Sequence, residues 1–513
     1  MNVAESQRKF KQRTHKALLD NDLRAALGRA RGGFVEGRRA RVAELPEFEQ
    51  LRDAANEIRE HTLAHLDYYL LTFEKNVERQ GGTVHFASTP ADLQRIVLDI
   101  CRDTGARRVA KGKSMVSEET GLNDALEDAG IECMETDLGE YIIQLAKEPP
   151  SHIIAPAVHK TRAQITELFH QHHGRYGITE RAEDRESIVR EARTVLRQTF
   201  LNADVGITGA NFLVAESGSN VLVTNEGNGD LTSNLPKVHI VTAGIEKVIP
   251  TFDDLSVFLR LLGRSATGQE MSVYTTVYSG PARATDVEGP EQYHVILLDN
   301  GRSTMLGNEF HEMLRCIRCG ACLNHCPVYS SIGGHAYGWV YSGPMGAVLT
   351  PLVKGVDSAY DLPNACTLNG RCQEVCPMRI PLPSLLRKLR QRQVEARLTP
   401  ARQKISLSAW GALARRPRLY QFAMSLMTPS LAWLGRSEGH IRYLPMAGGW
   451  TRGRQLPVPQ GSTFMRQWRQ RDEKTHGDRR GKNGDKKITD GDNRDIVDPQ
   501  TKPSHGPADR GGA

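Results

Sequence analysis

Seven of the nine cysteines in this chain lie in two short runs between residues 316 and 376. The first run has the spacing C-x2-C-x2-C-x3-C-P, and the second has the spacing C-x5-C-x3-C-P. Three thiolates at steps of three residues can hold three irons of one cubane cluster, while a fourth thiolate followed by proline points toward another cluster. The spacing therefore predicts an iron–sulfur domain with two clusters. The seven predicted ligands are Cys316, Cys319, Cys322, Cys326, Cys366, Cys372 and Cys376.

The two-cluster arrangement also predicts which thiolates share a cluster. The fourth cysteine of the first run points toward the other cluster, so this run cannot supply all four ligands of one cluster. Each cluster should therefore take ligands from both runs. Small residues between the cysteines, Gly320 and Ala321, would let backbone N–H groups approach the cluster sulfurs. The expected ligands are Cys316, Cys319, Cys322 and Cys376 for cluster 1, and Cys326, Cys366 and Cys372 for cluster 2.

The second run is irregular, because Asn369 stands where a regular motif would have its second cysteine. An amide is a poor iron ligand beside thiolates, so one iron of cluster 2 would be held by water or another non-cysteine group, or would be missing. The same spacing resembles the three-iron site in iron–sulfur subunits of succinate dehydrogenase. We therefore expect a [4Fe–4S] cluster at site 1 and a [4Fe–4S] or [3Fe–4S] cluster at site 2.

Zinc and disulfides are the alternative uses of such cysteines. Zinc ribbons carry two separated C-x2-C pairs that supply four ligands to one ion, whereas the first run here supplies three ligands and an outlier, and the second run supplies two ligands and an outlier. Disulfide frameworks are typical of small secreted chains, and residues 1–6 lack the apolar segment of a signal peptide. The sequence therefore favours iron ligation in a reducing cytoplasm, with peripheral association with the inner face of the membrane left open. Cys101 and Cys133 are isolated in apolar contexts and are expected in the core.

The composition is that of an ordinary globular protein, with 513 residues, 39% of them hydrophobic and 25% charged. No apolar stretch reaches the roughly 20 residues that a membrane-spanning helix needs. The nearest candidate, residues 419–435, is interrupted by polar residues and Pro429, and is expected to be buried or interfacial.

Positive charge is concentrated near the amino terminus. Residues 1–45 carry eleven Lys or Arg against five Asp or Glu. Because no aromatic or base-reading motif accompanies them, we expect a solvated helical surface that docks on an acidic partner, and no binding of nucleic acid.

The hydrophobic pattern divides the chain into regions. Apolar residues at helical spacing continue to about residue 80, and short apolar strands then alternate with helices to residue 300, which predicts a parallel α/β sheet. The expected strands are 83–87, 108–110, 131–135, 152–157, 205–215, 220–225, 237–242, 272–278 and 292–298, and the expected helices are 90–104, 117–128, 138–147, 179–200 and 252–263. The predicted domains are a basic helical region (1–60), an α/β domain (61–300), an α-helical two-cluster domain (301–398), a helical or irregular region (399–469) and a disordered tail (470–513).

Two further segments are candidate ligand sites in the α/β domain. Residues 111–114 form a basic, glycine-containing turn of the kind that can hold an anion, although the Walker spacing is absent. Residues 216–219 and 224–228 place carboxylates and small residues at strand ends, where ligands of α/β sheets bind, but the sequence favours strand-terminating turns over a ligand site there. The sequence has no G-x-G-x-x-G fingerprint, so we predict no flavin or nicotinamide site and name no catalytic residue.

Several stretches outside the cysteines resemble the lactate-utilisation iron–sulfur protein B family. The resemblance covers roughly residues 50–400, with one departure, since forms of the family have cysteine at the position of Asn369 and another residue at that of Cys366. It implies an α/β lactate-utilisation domain, similar in fold to sugar-phosphate isomerases and coenzyme A transferases, followed by a ferredoxin-like two-cluster domain. The stretches are KSMVSEE (113–119), ETDLGEYIIQ (135–144), PPSHIIAP (149–156), GITGANF (206–212) and VTNEGN (223–228).

The resemblance also implies a function. It is that of an iron–sulfur electron-transfer component of a multi-subunit L-lactate dehydrogenase system, an oxidoreductase that forms pyruvate. The expected partners are a cysteine-rich protein with CCG motifs, a second α/β-domain protein and an electron acceptor that the sequence does not identify. The alternatives are the iron–sulfur subunit of another 2-hydroxy-acid or glycerol-phosphate oxidase, and a small-acid-sensing module with structural clusters.

Overall fold

The computed structural model of the chain describes residues 3–444, 451 and 454–471. These residues belong to two compact units, the first ending at Thr399 and the second beginning at Pro400. The first unit contains the two larger sheets and all nine cysteines.

Four helices precede the first strand, which confirms the helical pattern predicted for the first 80 residues. Buried apolar residues such as Leu51 and Leu63 lie on one side of the third helix, because they recur at helical spacing. Asp20 caps the second helix by accepting a hydrogen bond from the Leu23 N–H at 2.9 Å. The helices are α1 (Val3–Leu19), α2 (Asn21–Ala43), α3 (Phe48–Ala64) and α4 (Leu66–Arg79).

Ten strands follow and form two sheets. Six of them make an all-parallel sheet in the order β1-β10-β7-β4-β2-β3, and four make a mixed sheet in the order β8-β5-β6-β9. The prediction of a mainly parallel α/β domain is thereby confirmed. The strands are β1 (Thr83–Ala87), β2 (Arg108–Gly112), β3 (Glu132–Glu135), β4 (Val205–Gly209), β5 (Phe212–Val214), β6 (Ser219–Thr224), β7 (Val238–Gly244), β8 (Val248–Ile249), β9 (Tyr274–Tyr278) and β10 (Gln292–Leu298).

Helices cover the parallel sheet because its central strands are apolar on both faces. Every residue of β4 and β7 is buried, as is typical of strands at the centre of a parallel sheet. One face packs against α5, α6 and α7, and the other packs against α4 and the mixed sheet. The helices of this domain are α5 (Pro90–Asp103), α6 (Met115–Thr120), α7 (Leu122–Asp128), α8 (Leu138–Leu145), α9 (Arg162–His172), α10 (Arg185–Asn202), α11 (Asn228–Asn234) and α12 (Phe252–Ala266).

From residue 311 onward the first unit is built of short helices and turns. They share one apolar core with α2, α3, α12 and the mixed sheet, so the cysteine-bearing segment packs directly on the α/β domain. This confirms the predicted helical domain that follows the sheet. Its helices are α13 (Ala321–Asn324), α14 (Tyr329–Ile332), α15 (Gly343–Lys354), α16 (Asp361–Asn364), α17 (Arg371–Glu374) and α18 (Leu382–Glu395).

Three details of the predicted pattern are wrong. Residues 152–157 form turns and no strand, because their apolar side chains pack against the cysteine-bearing domain. The helix predicted at 117–128 is broken at Gly121, whose φ of 66° is left-handed. The strand predicted at 205–215 is two strands, since β4 and β5 belong to different sheets.

The second unit contains two helices and a small antiparallel ribbon. In the second of these helices only Thr428 is buried, whereas Phe422 and Trp433 are 62% and 76% exposed. The burial predicted for residues 419–435 is therefore wrong, and an interfacial role stays a prediction. The elements are α19 (Ala401–Ala414), α20 (Pro417–Leu434), β11 (His440–Ile441) and β12 (Leu456–Pro457).

Among the described residues, no helix has the length and apolar character needed to cross a membrane. The tail predicted to be disordered lies, from residue 472 onward, outside the described residues.

Candidate metal centre and the cavity beside it

Four of the clustered cysteines surround one apolar cavity. It is lined by Ile153 from the α/β domain and by Met345 and Leu382 from the cysteine-bearing domain, together with other apolar side chains. Four thiols in a dry, apolar enclosure are the donor set that an iron–sulfur cluster needs. The cysteines are Cys316, Cys319, Cys322 and Cys376.

Local backbone geometry turns the first run around this cavity. A short 3₁₀ helix, His311–Arg315, ends at the first cysteine. Arg318 and Gly320 then adopt left-handed φ angles of 59° and 75°, which reverse the chain between successive cysteines. A side chain at Gly320 would lie 3.1 Å from the ring of His152, so this close approach to the α/β domain favours glycine.

Burial disfavours the thiolate forms of Cys319 and Cys376 when no metal is bound. It raises the pKa of Cys319 to about 12 and that of Cys376 to about 11. Four thiolates in one apolar enclosure would also repel one another. Positively charged irons would add to the compensation that Arg38 and Arg52 give to Cys319 and Cys376.

Arginines from the amino-terminal helices hold the second run in place. Arg52 on α3 donates to the Cys376 carbonyl at 2.7 and 3.1 Å and to the Glu374 carbonyl at 3.1 Å. Arg38 on α2 donates to the Val375 carbonyl at 3.1 Å. Part of the basic charge that we expected to face an acidic partner therefore contacts the same chain, and the docking role of the remainder stays a prediction.

The other three clustered cysteines form a second group. Burial, together with the neighbouring Cys366 and Cys326, raises the pKa of Cys372 to about 12. Cys326 Sγ accepts from the Tyr329 N–H at 3.4 Å, and Cys366 Sγ accepts from the Leu368 N–H at 3.3 Å. The structure thus gathers all seven thiols into two groups, and the ligand role of each thiol stays a prediction.

Asn369 lies in the turn between Cys366 and Cys372 of this second group. Its side chain is exposed, and its Oδ1 accepts from the Arg371 N–H at 3.2 Å, at the start of α17. The flanking Leu368 and Gly370 both have left-handed φ angles, of 56° and 85°. The amide therefore closes a tight turn that is open to solvent.

A buried chain of charges joins the α/β domain to the first cysteine group. Arg302 contacts Glu119 at 2.7 Å and Glu246 at 2.8 Å, and Arg318 contacts Glu246 at 3.2 Å. Tyr341 donates to Glu119 at 2.6 Å. Burial alone would raise the pKa of Glu246, but the two guanidinium groups outweigh it and hold this pKa at about 2.

A larger cavity of about 480 Å³ lies on the other side of Arg318. It sits beyond the carboxyl ends of β2, β4 and β7. β2 and β4 are neighbours in the sheet, but the next strand of the sheet after β2, which is β3, lies on one side of this pair, and the next after β4, which is β7, lies on the other. Crevices at such a switch point are the usual ligand sites of α/β sheets.

Only some residues of the predicted ligand segments, 111–114, 216–219 and 224–228, line this cavity. Lys113 lines it and pairs with Asp137 and, at 3.1 Å, with Glu226. Lys111 is instead fully buried between Glu118 and Glu135, at 2.9 and 2.6 Å.

Of the two strand-end segments, 224–226 lines the cavity, and 216–219 does not. The latter forms the β5–β6 turn, where Glu216 accepts from the Phe252 N–H at 2.7 Å. The turn interpretation of 216–219 is therefore confirmed.

Sequence reasoning missed Glu246, Lys247, Arg302 and Arg318. Lys247, only 8% exposed, also lines the cavity, and burial and the nearby Arg318 lower its pKa to about 8. Two features of the sequence could have indicated these residues. Glu246 and Lys247 form a charged pair just after an apolar strand, and Arg318 lies inside the first cysteine run.

Known proteins match this chain along most of its length. A family model described as LUD domain matches residues 70–298, and one described as 4Fe-4S dicluster domain matches residues 312–380. A Lactate utilization protein B from Lysinibacillus sphaericus (strain C3-41) is 43% identical over 470 residues, which cover 91% of this chain and 98% of that protein. Another from Bacillus thuringiensis (strain Al Hakam) is 42% identical over 480 residues, covering 93% of this chain and 100% of that protein.

A solved structure of a DUF162 family protein from Deinococcus radiodurans covers 45% of this chain and 98% of its own length. Its identity of 15% and TM-score of 0.26 are too low to carry an argument.

The matched ranges agree with the architecture. Residues 70–298 contain both sheets of the α/β domain, and residues 312–380 contain all seven clustered cysteines. The chain therefore joins a LUD domain to an iron–sulfur domain of the dicluster type. With 43% identity to a relative that matches 91% of its length, it belongs to the lactate utilization protein B family.

Proposed function

We propose that this chain is the iron–sulfur electron-transfer component of a system that oxidises L-lactate to pyruvate. The observation that carries the proposal is the apolar cavity walled by four cysteine thiols, beside a second group of three. The name shared by the relatives, Lactate utilization protein B, supports the choice of pathway. Iron–sulfur clusters, when bound, accept and release single electrons.

The proposed ligands follow the two groups. Cys316, Cys319, Cys322 and Cys376 would hold a [4Fe–4S] cluster at site 1. At site 2, Cys326, Cys366 and Cys372 would hold a [4Fe–4S] or [3Fe–4S] cluster. Lactate oxidation releases two electrons, and two one-electron centres in one domain match that number.

The protein's own contribution is to hold the thiols and to exclude water. Apolar side chains such as Met313 and Ile380 enclose site 1, and Arg52 fixes the carbonyl of its last cysteine. Tyr337 is buried beside Cys326 at site 2. A dry enclosure of this kind sets the potential of a bound cluster through its low dielectric and the few N–H groups aimed at the sulfurs.

The partners that fit this role are those that the resemblance implies. They are a cysteine-rich protein with CCG motifs, a second α/β-domain protein and an acceptor for the electrons. The reducing cytoplasm is the proposed compartment, because seven thiols must stay free for iron.

The test begins with protein purified without oxygen. We expect iron and acid-labile sulfide in amounts that correspond to two clusters, and reoxidation of the dithionite-reduced protein by a quinone or a redox dye. One bound zinc without sulfide would end the iron–sulfur proposal. Clusters that are present but exchange no electrons with any acceptor would instead favour the small-acid-sensing module.

A further inference from the structure

The cavity beyond the sheet is large enough for a small-molecule ligand. Its volume of about 480 Å³ falls in the usual range for such sites, and it lies at the switch point between β2 and β4. Apolar side chains, among them Leu138, Ile154 and Leu262, form part of its wall. The cavity is separate from the four-cysteine enclosure but shares Ile153 and Arg318 with it.

One cation in the wall lacks a carboxylate in direct contact. Lys113 pairs with Asp137 and Glu226. The two arginines of the wall, Arg302 and Arg318, are likewise matched by carboxylates, at distances of 2.7 to 3.2 Å.

Lys247 differs from these three cations. It is 8% exposed, and none of the residues that the structure describes offers its ammonium group a hydrogen bond or an ion pair. Glu246, its neighbour in the chain, acts on this ammonium only from beyond the distance of an ion pair. Because a buried ammonium without a direct partner is unfavourable, the place of Lys247 in the wall of a cavity suits an anion from outside the chain.

The class of anion follows from the rest of the wall. Among the described cations of the wall, Lys247 is the one that no carboxylate contacts directly, and Asp137, Glu226 and Glu246 also face the same space. These carboxylates would repel a dianion such as phosphate more strongly than a monocarboxylate, which carries a single negative charge. The apolar wall suits the short carbon chain of an organic acid.

We propose that this cavity binds a small monocarboxylate whose carboxylate pairs with Lys247, and that site 1 senses its binding through Arg318. The choice of L-lactate and pyruvate as probes rests on the proposed function, whereas the carboxylate class rests on the wall alone. Arg318 stands between Cys316 and Cys319 in the chain, contacts Glu246, and has its guanidinium 5.0 Å from the centre of the Tyr341 ring. A ligand that adds negative charge beside it disfavours the reduced form of a cluster at site 1.

The test uses the full chain loaded with iron, with iron and sulfide measured on every sample. Isothermal titration with sodium L-lactate and with pyruvate should give saturable binding. Lys247→Met, which keeps the length of the side chain but removes its charge, should weaken that binding on the order of tenfold or more. Lys247→Arg should keep more of the affinity than Lys247→Met.

Lys237→Met is the matched control, because this lysine is 77% exposed and pairs at 3.2 Å with Glu291 on the surface. Its affinity should equal that of the unmodified protein. In electron paramagnetic resonance, the reduced site 1 signal should change on adding L-lactate to the unmodified protein but not to Lys247→Met. A redox titration should show a lower potential with ligand bound.

Each other outcome has a defined meaning. The proposal is overturned if neither acid binds to fully loaded protein, if Lys247→Met binds as tightly as the control, or if inorganic phosphate binds in preference. Sensing at site 1 is overturned if both acids bind without changing its spectrum or potential. Protein that lacks iron and sulfide yet binds L-lactate through Lys247 would support the site while ending the electron-transfer proposal.

Discussion

The two cysteine groups come from the same pair of sequence runs but have different surroundings. The four thiols of site 1 enclose an apolar cavity between two domains, and Arg52 braces the last of them. Site 2 has three thiols, and its loop at Cys366 and Asn369 reaches the surface. The comparison teaches that the position at which the second run departs from the regular motif, Asn369, is exposed to solvent. Water could therefore reach the place of the missing thiolate at site 2.

The largest effect is expected from Cys319→Ser. This side chain is buried in the four-thiol cavity, and a hydroxyl is a far weaker iron ligand than a thiolate. We expect cluster 1 to be lost, iron to fall by about half and the thermal midpoint to drop, while the site 2 signal remains. Iron and sulfide analysis with paramagnetic resonance measures this.

Cys101→Ala is its control, because Cys101 is fully buried in the core of the α/β domain, away from both groups. It should lower stability and leave both clusters in place. Simultaneous loss of both signals in Cys319→Ser, with none lost in the control, would show that the two sites assemble as one unit.

Cys366→Ser should act on the other site. If Cys366 is one of only three thiolates at site 2, its loss should remove cluster 2 and spare cluster 1. The thermal midpoint should fall less than in Cys319→Ser, because Cys366 is only partly buried. Retention of both clusters would mean that Cys366 is not a ligand and that the assignment of the second run is wrong.

Asn369→Cys should change the type of cluster 2 without removing it. Residue 369 lies in the exposed turn between Cys366 and Cys372, so we expect a thiol there to complete the ligand set. We expect the signal of an oxidised [3Fe–4S] centre to give way to a [4Fe–4S] centre of lower potential, because added thiolate charge disfavours the reduced state. Asn364→Cys on α16 is a comparison variant outside the run and should leave the signal as it was.

Two arginines allow a smaller and more local comparison. Arg52 donates three hydrogen bonds to carbonyls at Glu374 and Cys376, whereas Arg390 donates to the carbonyls of Pro363 and Cys366 at 2.9 and 2.8 Å. Each substitution of one of these arginines by Met should lower the free energy of unfolding by about 1–3 kcal/mol, because the backbone carbonyls lose a charged hydrogen-bond donor.

Arg52→Met should speed the loss of iron from site 1, and Arg390→Met should speed it from site 2. Time courses of chelation, followed by the two paramagnetic signals, separate these effects. Equal acceleration at both sites in both variants would show that the arginines stabilise the domain and not one cluster.

The sequence predicted what depends on local spacing. Steps of three residues between cysteines place thiols on one turn of chain, and alternating apolar strands and helices predict a parallel sheet. The wall of the large cavity could not be predicted in this way. Lys113, Glu246, Arg302 and Arg318 come from four separate segments, and only the packing of the sheet against the cysteine-bearing domain brings them together.

The failed strand at 152–157 has the same origin. An apolar run can pack against a neighbouring domain as well as it can within a sheet. Its hydrophobicity therefore does not distinguish a strand from a turn that is covered by another domain. His152 hydrogen-bonds with Asn324 at 3.0 Å, a contact across 172 positions of the chain. Burial of Ile153 and Ile154 therefore follows from the position of the cysteine-bearing domain and not from strand pairing.

The smallest effect is expected from removing residues 472–513. Their composition is mainly Lys, Arg, Asp, Gly and Asn, with Ile488, Ile496 and Val497 as the large aliphatic residues, so they offer little apolar surface to bury. The truncated protein should keep the iron content, both paramagnetic signals and the thermal midpoint of the full chain. Loss of one paramagnetic signal alone would mean that residues 472–513 are needed to hold the cluster at that site. The two sites would then differ also in their dependence on this distant segment. Equal retention of both would confine the difference between the sites to the residues from Cys316 to Cys376 and the arginines that brace them.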